Sequence, residues 1–375
     1  MDFRVFRLLA AVVFTGVLAG CDSGRIKEQT PNNLENHPYP QTPCWLHTPY
    51  GDQAQGVIAI TAEFGSGDTK ALSRRQAVES LAEVFDFSTQ GLDQLNIDQN
   101  RISLGGRSIG LARTWTHKSQ HISYAYLATP EAERWVLNSC KQPICKPDRC
   151  SPEWLCNENK GKYLSAVTVS QLAATQREQY RYLFKNALDQ LRTTHGVQVE
   201  AKRAQLHTRS GSALNLSSYL RERQQTEFEF SKMSDNVPLL LTDSCRSETT
   251  LYGRLMIKGA ANPTRELAPI KKDWHLQMGS PGEGMAVGRF SGMLSHNLIS
   301  LRIEYALRNA LLQLARSQNV QITSDELHVN NMEGGYYSMQ FVTENTQMNM
   351  KVRVRGVRFT GSSTDPEVFV LVEGM

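Results

Sequence analysis

One stretch of this chain is used twice. Residues 185–199 read KNALDQLRTTHGVQV and residues 308–322 read RNALLQLARSQNVQI, a gapless alignment in which seven of the fifteen positions are identical. The apolar positions transfer as a set: Tyr180, Phe184, Ala187, Leu188 and Leu191 align with Ile303, Leu307, Ala310, Leu311 and Leu314. Both sets are spaced i, i+4, i+7, i+8, i+11, which places them on one face of an α-helix. The spacing predicts a long amphipathic helix in each copy. A weaker third copy lies upstream, where residues 76–81 line up with residues 186–191. There Ser73 and Gln76 form an S-x-x-Q capping box that predicts the helix start, with Gly65, Gly67 and Asp68 ahead of it.

Each helix follows a short β-prone run, at residues 57–61, 164–169 and 285–290, and Trp45, Trp154 or Trp274 stands ahead of each run. Each copy also closes on a β-rich run, at residues 124–128, 251–257 and 368–372. In the last copy Met348, Met350, Val352 and Val354 alternate with Asn349, Lys351, Arg353 and Arg355, which predicts a half-buried strand with its basic side chains in solvent. Gly356 shifts that phase as a bulge would, and residues 361–366 supply a turn to a partner strand. The expected fold is α+β, three repeated domains, each a long amphipathic helix packed on a small antiparallel sheet. The expected organisation is a signal peptide at 1–20, a linker at 21–43 and repeats at 44–130, 154–258 and 274–375. A cysteine-rich connector at 131–153 and a proline-bearing linker at 259–273 separate the repeats.

The amino terminus sets the expected compartment. Arg4 and Arg7 precede a short apolar run at residues 8–17, too short to span about 30 Å of hydrocarbon. The run ends at Leu18, Ala19, Gly20 and Cys21, which resembles a bacterial lipobox; Cys21 is then the lipidated residue and the mature amino terminus. Stable anchoring takes more than one acyl chain, each buried methylene contributing about 0.8 kcal/mol. Asp22 resembles an inner-membrane retention signal, so the expectation is a periplasm-facing protein tethered to the inner membrane, with the outer membrane as the alternative. The 375 residues carry a net charge of +4, too little to imply nucleic acid, and a 40% hydrophobic content typical of globular chains.

Setting Cys21 aside leaves Cys44, Cys140, Cys145, Cys150, Cys156 and Cys245. Four of these crowd the connector at x4, x4 and x5 spacings, looser than structural zinc knuckles. An exported chain with an even number of cysteines favours disulfides, and six cysteines leave the connectivity open.

A tryptophan, a short strand, a long helix and a terminal β-hairpin, in that order, resemble the Lpp20-type lipoprotein domain. Flagellar lipoproteins of the FlgP kind belong to that family, and the amino-terminal domain of FlgT is similar. The resemblance covers most of the chain beyond residue 43. It implies a non-catalytic scaffold or assembly role at the cell envelope, associated with the flagellum, with other envelope proteins or further copies of the chain as partners. Three copies and a cysteine-rich insert depart from the family pattern.

Catalytic signatures are scarce. Residues 282–288 carry three glycines but precede a strand, unlike a dinucleotide fingerprint. Residues 65–70 lack the Gly-Lys-Ser/Thr end of a P-loop, and no H-E-x-x-H or S-x-x-K occurs. His117 and His121 have no third metal ligand in sight, and Glu79 with Glu83 reads as a helix-surface pair. The expectation is therefore no enzyme, no metal and no cofactor, with a glycan or hydrophobic-ligand carrier, or an enzyme without a recognisable motif, as alternatives. Lys351, Arg353, Arg355 and Arg358 form the candidate basic contact surface, or else a strand edge guarded by charge.

Overall fold

The computed structural model describes residues 41–62, 68–117, 120–156, 163–171, 175–212, 215–231, 237–261, 270, 273–277, 281–292, 298–330, 336–362 and 366–375. The lipobox, Cys21 and Asp22 lie outside the described residues, as do Glu63, Gly65, Gly67 and most of the 259–273 linker.

The first stretch runs β1 (Gln41–Pro43), β2 (Gly56–Ala62), α1 (Thr69–Phe85), β3 (Arg101–Leu104), β4 (Arg107–Leu111), β5 (Trp115–His117), β6 (Gln120–Leu127), α2 (Pro130–Val136) and β7 (Ser139–Lys141). The second holds β8 (Tyr163–Ser170), α3 (Gln176–Leu191), β9 (Val197–Ser212), β10 (Asn215–Phe230), β11 (Leu239–Ser247) and β12 (Thr250–Ala261). The third holds β13 (Met285–Phe290), α4 (Ile299–Gln318), β14 (Gln321–Asn330), β15 (Tyr336–Met350), β16 (Val352–Gly361) and β17 (Pro366–Gly374). All described strand ladders are antiparallel: β2-β6-β4-β3 with β5 on β6, β11-β12-β8, β13-β17-β16, β10-β9-β15-β14 and the small pair β1-β7.

This architecture corrects the expected set of three helix-on-sheet repeats. The described chain is mostly β, with four helices and five sheets. The longest strands, β9, β10 and β15, have no counterpart in the expected repeats, except that Met348 and Met350 at the end of β15 fall in the expected half-buried strand. Beyond their buried roots they carry polar residues on both faces, so no alternation marks them in the sequence. Their sheet also draws strands from the second and third stretches together. The cores follow suit: Val197, Val199 and Tyr252 share one apolar cluster with Leu311, Phe359 and Val370.

Local chemistry explains the helix ends and seats. The start of α1 lies four residues ahead of the expected capping box: the Asp68 side chain accepts from the Ala71 N–H at 3.0 Å, one of the first-turn donors a helix leaves orphaned. Ser73 sits inside the helix, fully buried, its hydroxyl donating to the carbonyls of Ala59 and His121 on β2 and β6. In α3, Thr175 caps through Oγ1, which accepts from the Glu178 N–H, and Leu183, Ala187 and Leu191 are buried. In α4 the buried face is wider, running through Ile303, Leu307, Ala310, Leu311 and Leu314.

The six cysteines form three disulfides: Cys44–Cys140, Cys145–Cys245 and Cys150–Cys156. The first two close loops with sequence separations of 96 and 100 residues, and each removes denatured-chain entropy worth about 4–5 kcal/mol. They staple the connector to the first sheet region and to β11. Trp45 and Trp274 are buried, Trp45 stacking on Tyr124 with ring centroids 5.2 Å apart, and Trp154 packs partly buried against the large core.

Helix α4 lies so close to β13 that only glycine fits beneath it. A Cβ on Gly288 would stand 1.9 Å from the Ala306 carbonyl oxygen and 2.2 Å from the Ala310 nitrogen, both rigid backbone. Gly288→Ala should therefore destabilise the fold by about 3 kcal/mol, read as a lowered urea midpoint at unchanged slope. Gly51→Ala, where the nearest atom is a methyl 3.8 Å away, should leave the midpoint in place.

Candidate interaction surface

The sheet β10-β9-β15-β14 is anchored at one end and bare at the other. At its root, Val197, Val199 and Ala201 of β9 are buried, and Phe228, Phe230, Met348 and Met350 pack against the same core. From residue 202 to 210 on β9 and from 219 to 230 on β10, no side chain is buried. At about 3.3 Å per residue, the 16-residue strands β9 and β10 reach roughly 50 Å, so most of their length stands clear of the core. The register is unbroken from Val197↔Phe230 to Ser212↔Asn215 and from Met350↔Val197 to Tyr336↔Gly211.

Cross-strand charges hold the exposed section together. Arg203 of β9 donates to Glu222 of β10 at 2.6 Å and lies 3.6 Å from Glu344 of β15. The hydrogen bond between them holds the Glu222 carboxyl below the usual carboxylate range and raises Arg203. Closer to the root, Gln347 of β15 donates to Glu200 of β9 at 2.8 Å.

Both outer edges are open. Strand β10 pairs only with β9, and β14 only with β15, among the described residues. Proteins that keep such edges unpaired blunt them with charged side chains, lysine above all, with proline or with bulges. Neither β10 nor β14 contains a lysine or a proline, and neither ladder shifts register. Charge is present on both, from Arg221 to Arg223 on β10 and at Asp325 and Glu326 on β14, and large apolar side chains sit among it: Tyr219 and Ile322 are 63% and 64% exposed, and Leu220 is exposed beside Tyr219. The two edges also differ in charge. Arg221 and Arg223 on β10, and Asp325 on β14, are exposed and form no ion pair among the described residues. Arg221, Leu206, Phe341 and Asp325 lie in one row across the four strands, so the cation and the anion flank the sheet at the same level and on the same face.

The residues expected to form a basic surface are placed differently. Lys351 is exposed, but Arg353 and Arg355 are 3% and 1% exposed. Both guanidiniums meet one carboxylate oxygen of Glu373 on β17, Arg353 at 2.5 and 2.8 Å and Arg355 at 2.6 Å. Arg358 lies against the sulfurs of the Cys150–Cys156 disulfide. The alternation failed as a guide because β16 is covered on both faces. The connector packs on it, and the expected bulge appears as a register shift between Val354 and Gly356 that also turns Arg355 inward. His121 shares a hydrogen bond with Thr116, and Asp68 serves as the α1 cap. Among the described residues no group of three or more His, Cys, Asp or Glu could hold a metal, and no helix is long and apolar enough to cross a membrane.

Glu373→Gln removes the carboxylate charge that two buried guanidiniums share. A loss of about 3–5 kcal/mol in unfolding free energy is expected, measured by urea titration. No protein-family model matches this chain, and no curated protein matches its sequence.

Proposed function

We propose that this chain is a lipid-anchored lipoprotein of the bacterial cell envelope, facing the periplasm, that works as a non-catalytic scaffold whose copies join edge to edge. The lipobox ending at Cys21 and the retention signal at Asp22 support the inner-membrane tether. Three disulfides suit an oxidising compartment.

The observation that carries the scaffold reading is the pair of unpaired edges on the projecting sheet, with a cation on one and an anion on the other at the same level. Because each strand is antiparallel to its neighbour and the sheet has four, β10 and β14 run in opposite directions. A second copy placed head to tail therefore sets its β10 antiparallel to β14 of the first, and the arrangement repeats without reversal. Main-chain hydrogen bonds supply affinity in such strand addition, and side chains supply register. At equal level Asp325 faces Arg221 of the next copy; a two-residue stagger brings it to Arg223. Heterologous contacts of this kind build rings or filaments. Tethering in a membrane restricts the copies to one plane and raises their effective concentration.

The test is the mass of the full-length protein in detergent, by light scattering. The wild type should exceed a monomer, and Asp325→Arg or Arg221→Asp alone should reduce the assembled fraction. The double reversal should restore it, because the opposed charges then exchange places. A monomeric wild type, or a double variant no better assembled than the singles, would overturn the proposal.

A further inference from the structure

A second feature lies away from the projecting sheet. A crevice of about 540 Å³ opens between β5 and β6, the start of α3 and the turn from β11 to β12. The Cys145–Cys245 disulfide forms part of one wall, and Thr42 and His47, flanking Cys44, form another. The walls are thus braced by covalent links, as a preformed site requires.

Three of its lining side chains carry buried polar atoms with no hydrogen-bond partner among the described residues: Gln120 Oε1, Gln176 Oε1 and Arg246 Nη2. Gln120 is only 7% exposed. An unsatisfied buried polar atom costs about 1–3 kcal/mol, so three at one crevice call for an explanation. Arg246 is held from one side only. Its Nη1 donates to Gln179 Oε1 at 2.8 Å, and Gln179 is itself fixed by donating to the Thr249 carbonyl at 2.7 Å and to that of Ser170 at 3.3 Å. No carboxylate of the described residues pairs with Arg246; Glu248, at the exposed rim, does not.

Arg246 is the cation lining the crevice, and the Glu248 carboxylate stands apart from it at the exposed rim. Burial, and then the neighbouring Arg246, pull the His47 imidazole down to about 4, so it is neutral near pH 7. It exchanges a hydrogen bond of 2.7 Å with Thr42. The amino-terminal end of α3, capped by Thr175, adds partial positive charge beside the guanidinium. An anion fits here, and a guanidinium with a free nitrogen favours a carboxylate. The two amide oxygens ask for something else: hydroxyl or amine donors on the same ligand. An ammonium would be repelled by Arg246 and the helix end, which leaves hydroxyls. Trp115 and Tyr180 supply the flat apolar surfaces that a pyranose ring covers.

We propose that this crevice binds an acidic sugar, its carboxylate on Arg246 and its hydroxyls on Gln120 and Gln176. The site uses neither edge of the projecting sheet, so it stands or falls separately from assembly.

The experiment is calorimetric titration of the full-length protein in detergent near pH 7 with glucuronate, glucose, acetate and glutamate. Glucuronate should bind about tenfold more tightly than glucose or acetate, since each of those lacks one half of the match. Arg246→Gln should weaken glucuronate about tenfold and leave glucose unchanged. Gln176→Leu, on the first turn of α3, keeps the Arg246 contacts and should weaken both sugars; it carries the test if the Arg246 variant fails to fold. Absence of saturable glucuronate binding, equal affinity for glucuronate and acetate, or binding of glutamate in preference to glucuronate would each overturn the proposal.

Discussion

The ladder between β9 and β15 is the contact on which the arrangement depends. It joins strands from distant parts of the chain along its whole projecting length, from Met350↔Val197 at the root to Tyr336↔Gly211 near the tip. Only the root rests on a core, where Val197, Val199 and Ala201 share the cluster that also holds Leu311 and Leu314 of α4. Beyond it the sheet is held by backbone hydrogen bonds and by Arg203 between Glu222 and Glu344. Because the central strands satisfy each other, the whole unmet hydrogen-bonding capacity of the sheet is displaced to β10 and β14. The inner pairing creates the outer edges.

How much of this was legible in the sequence depends on whether burial left a periodic trace. Leu183, Ala187 and Leu191 on α3, and Ile303 to Leu314 on α4, are buried on one face each, and the 3.6-residue stripe announced both helices. The short strands that back the helices are apolar runs and were equally visible. The projecting sheet was invisible for the converse reason: Lys202, Arg203, Gln205 and His207 lie outside any core, so nothing forces alternation. The signal that remained was negative, the lack of lysine and proline in the runs that become β10 and β14. Arg353 and Arg355 misled because an alternating strand normally has one wet face, and β16 has none. Their partner Glu373 stands on the neighbouring strand, a pairing that local spacing does not reveal.

The crevice was hidden in another way. Its polar groups come from four separated segments, around residues 47, 120, 176 and 246, and each residue is unremarkable where it stands. Only the folded chain brings two amides and a guanidinium to one opening. His47 shows the same dependence on context: burial and a nearby cation, neither evident from its sequence neighbours, hold the imidazole neutral. The two proposed surfaces use different physics, unpaired backbone along strand edges in one and orphaned side-chain atoms in the other.

The disulfide pattern carries a consequence for how the chain acquires its bonds. A chain delivered amino-terminus first presents its paired cysteines in the order 44, 140, 145, 150, 156 and 245. Oxidation in order of arrival links Cys44 to Cys140 correctly. It then joins Cys145 to Cys150 and Cys156 to Cys245, and both of those bonds are wrong. Reaching the native pattern requires Cys145 to wait until β11 has been made while Cys150 and Cys156 close within its loop. The alternative is a thiol that attacks the early bond and reshuffles it. The Cys44–Cys140 link can thus close early, whereas the wall of the crevice at Cys245 is sealed last, after β11 has been made.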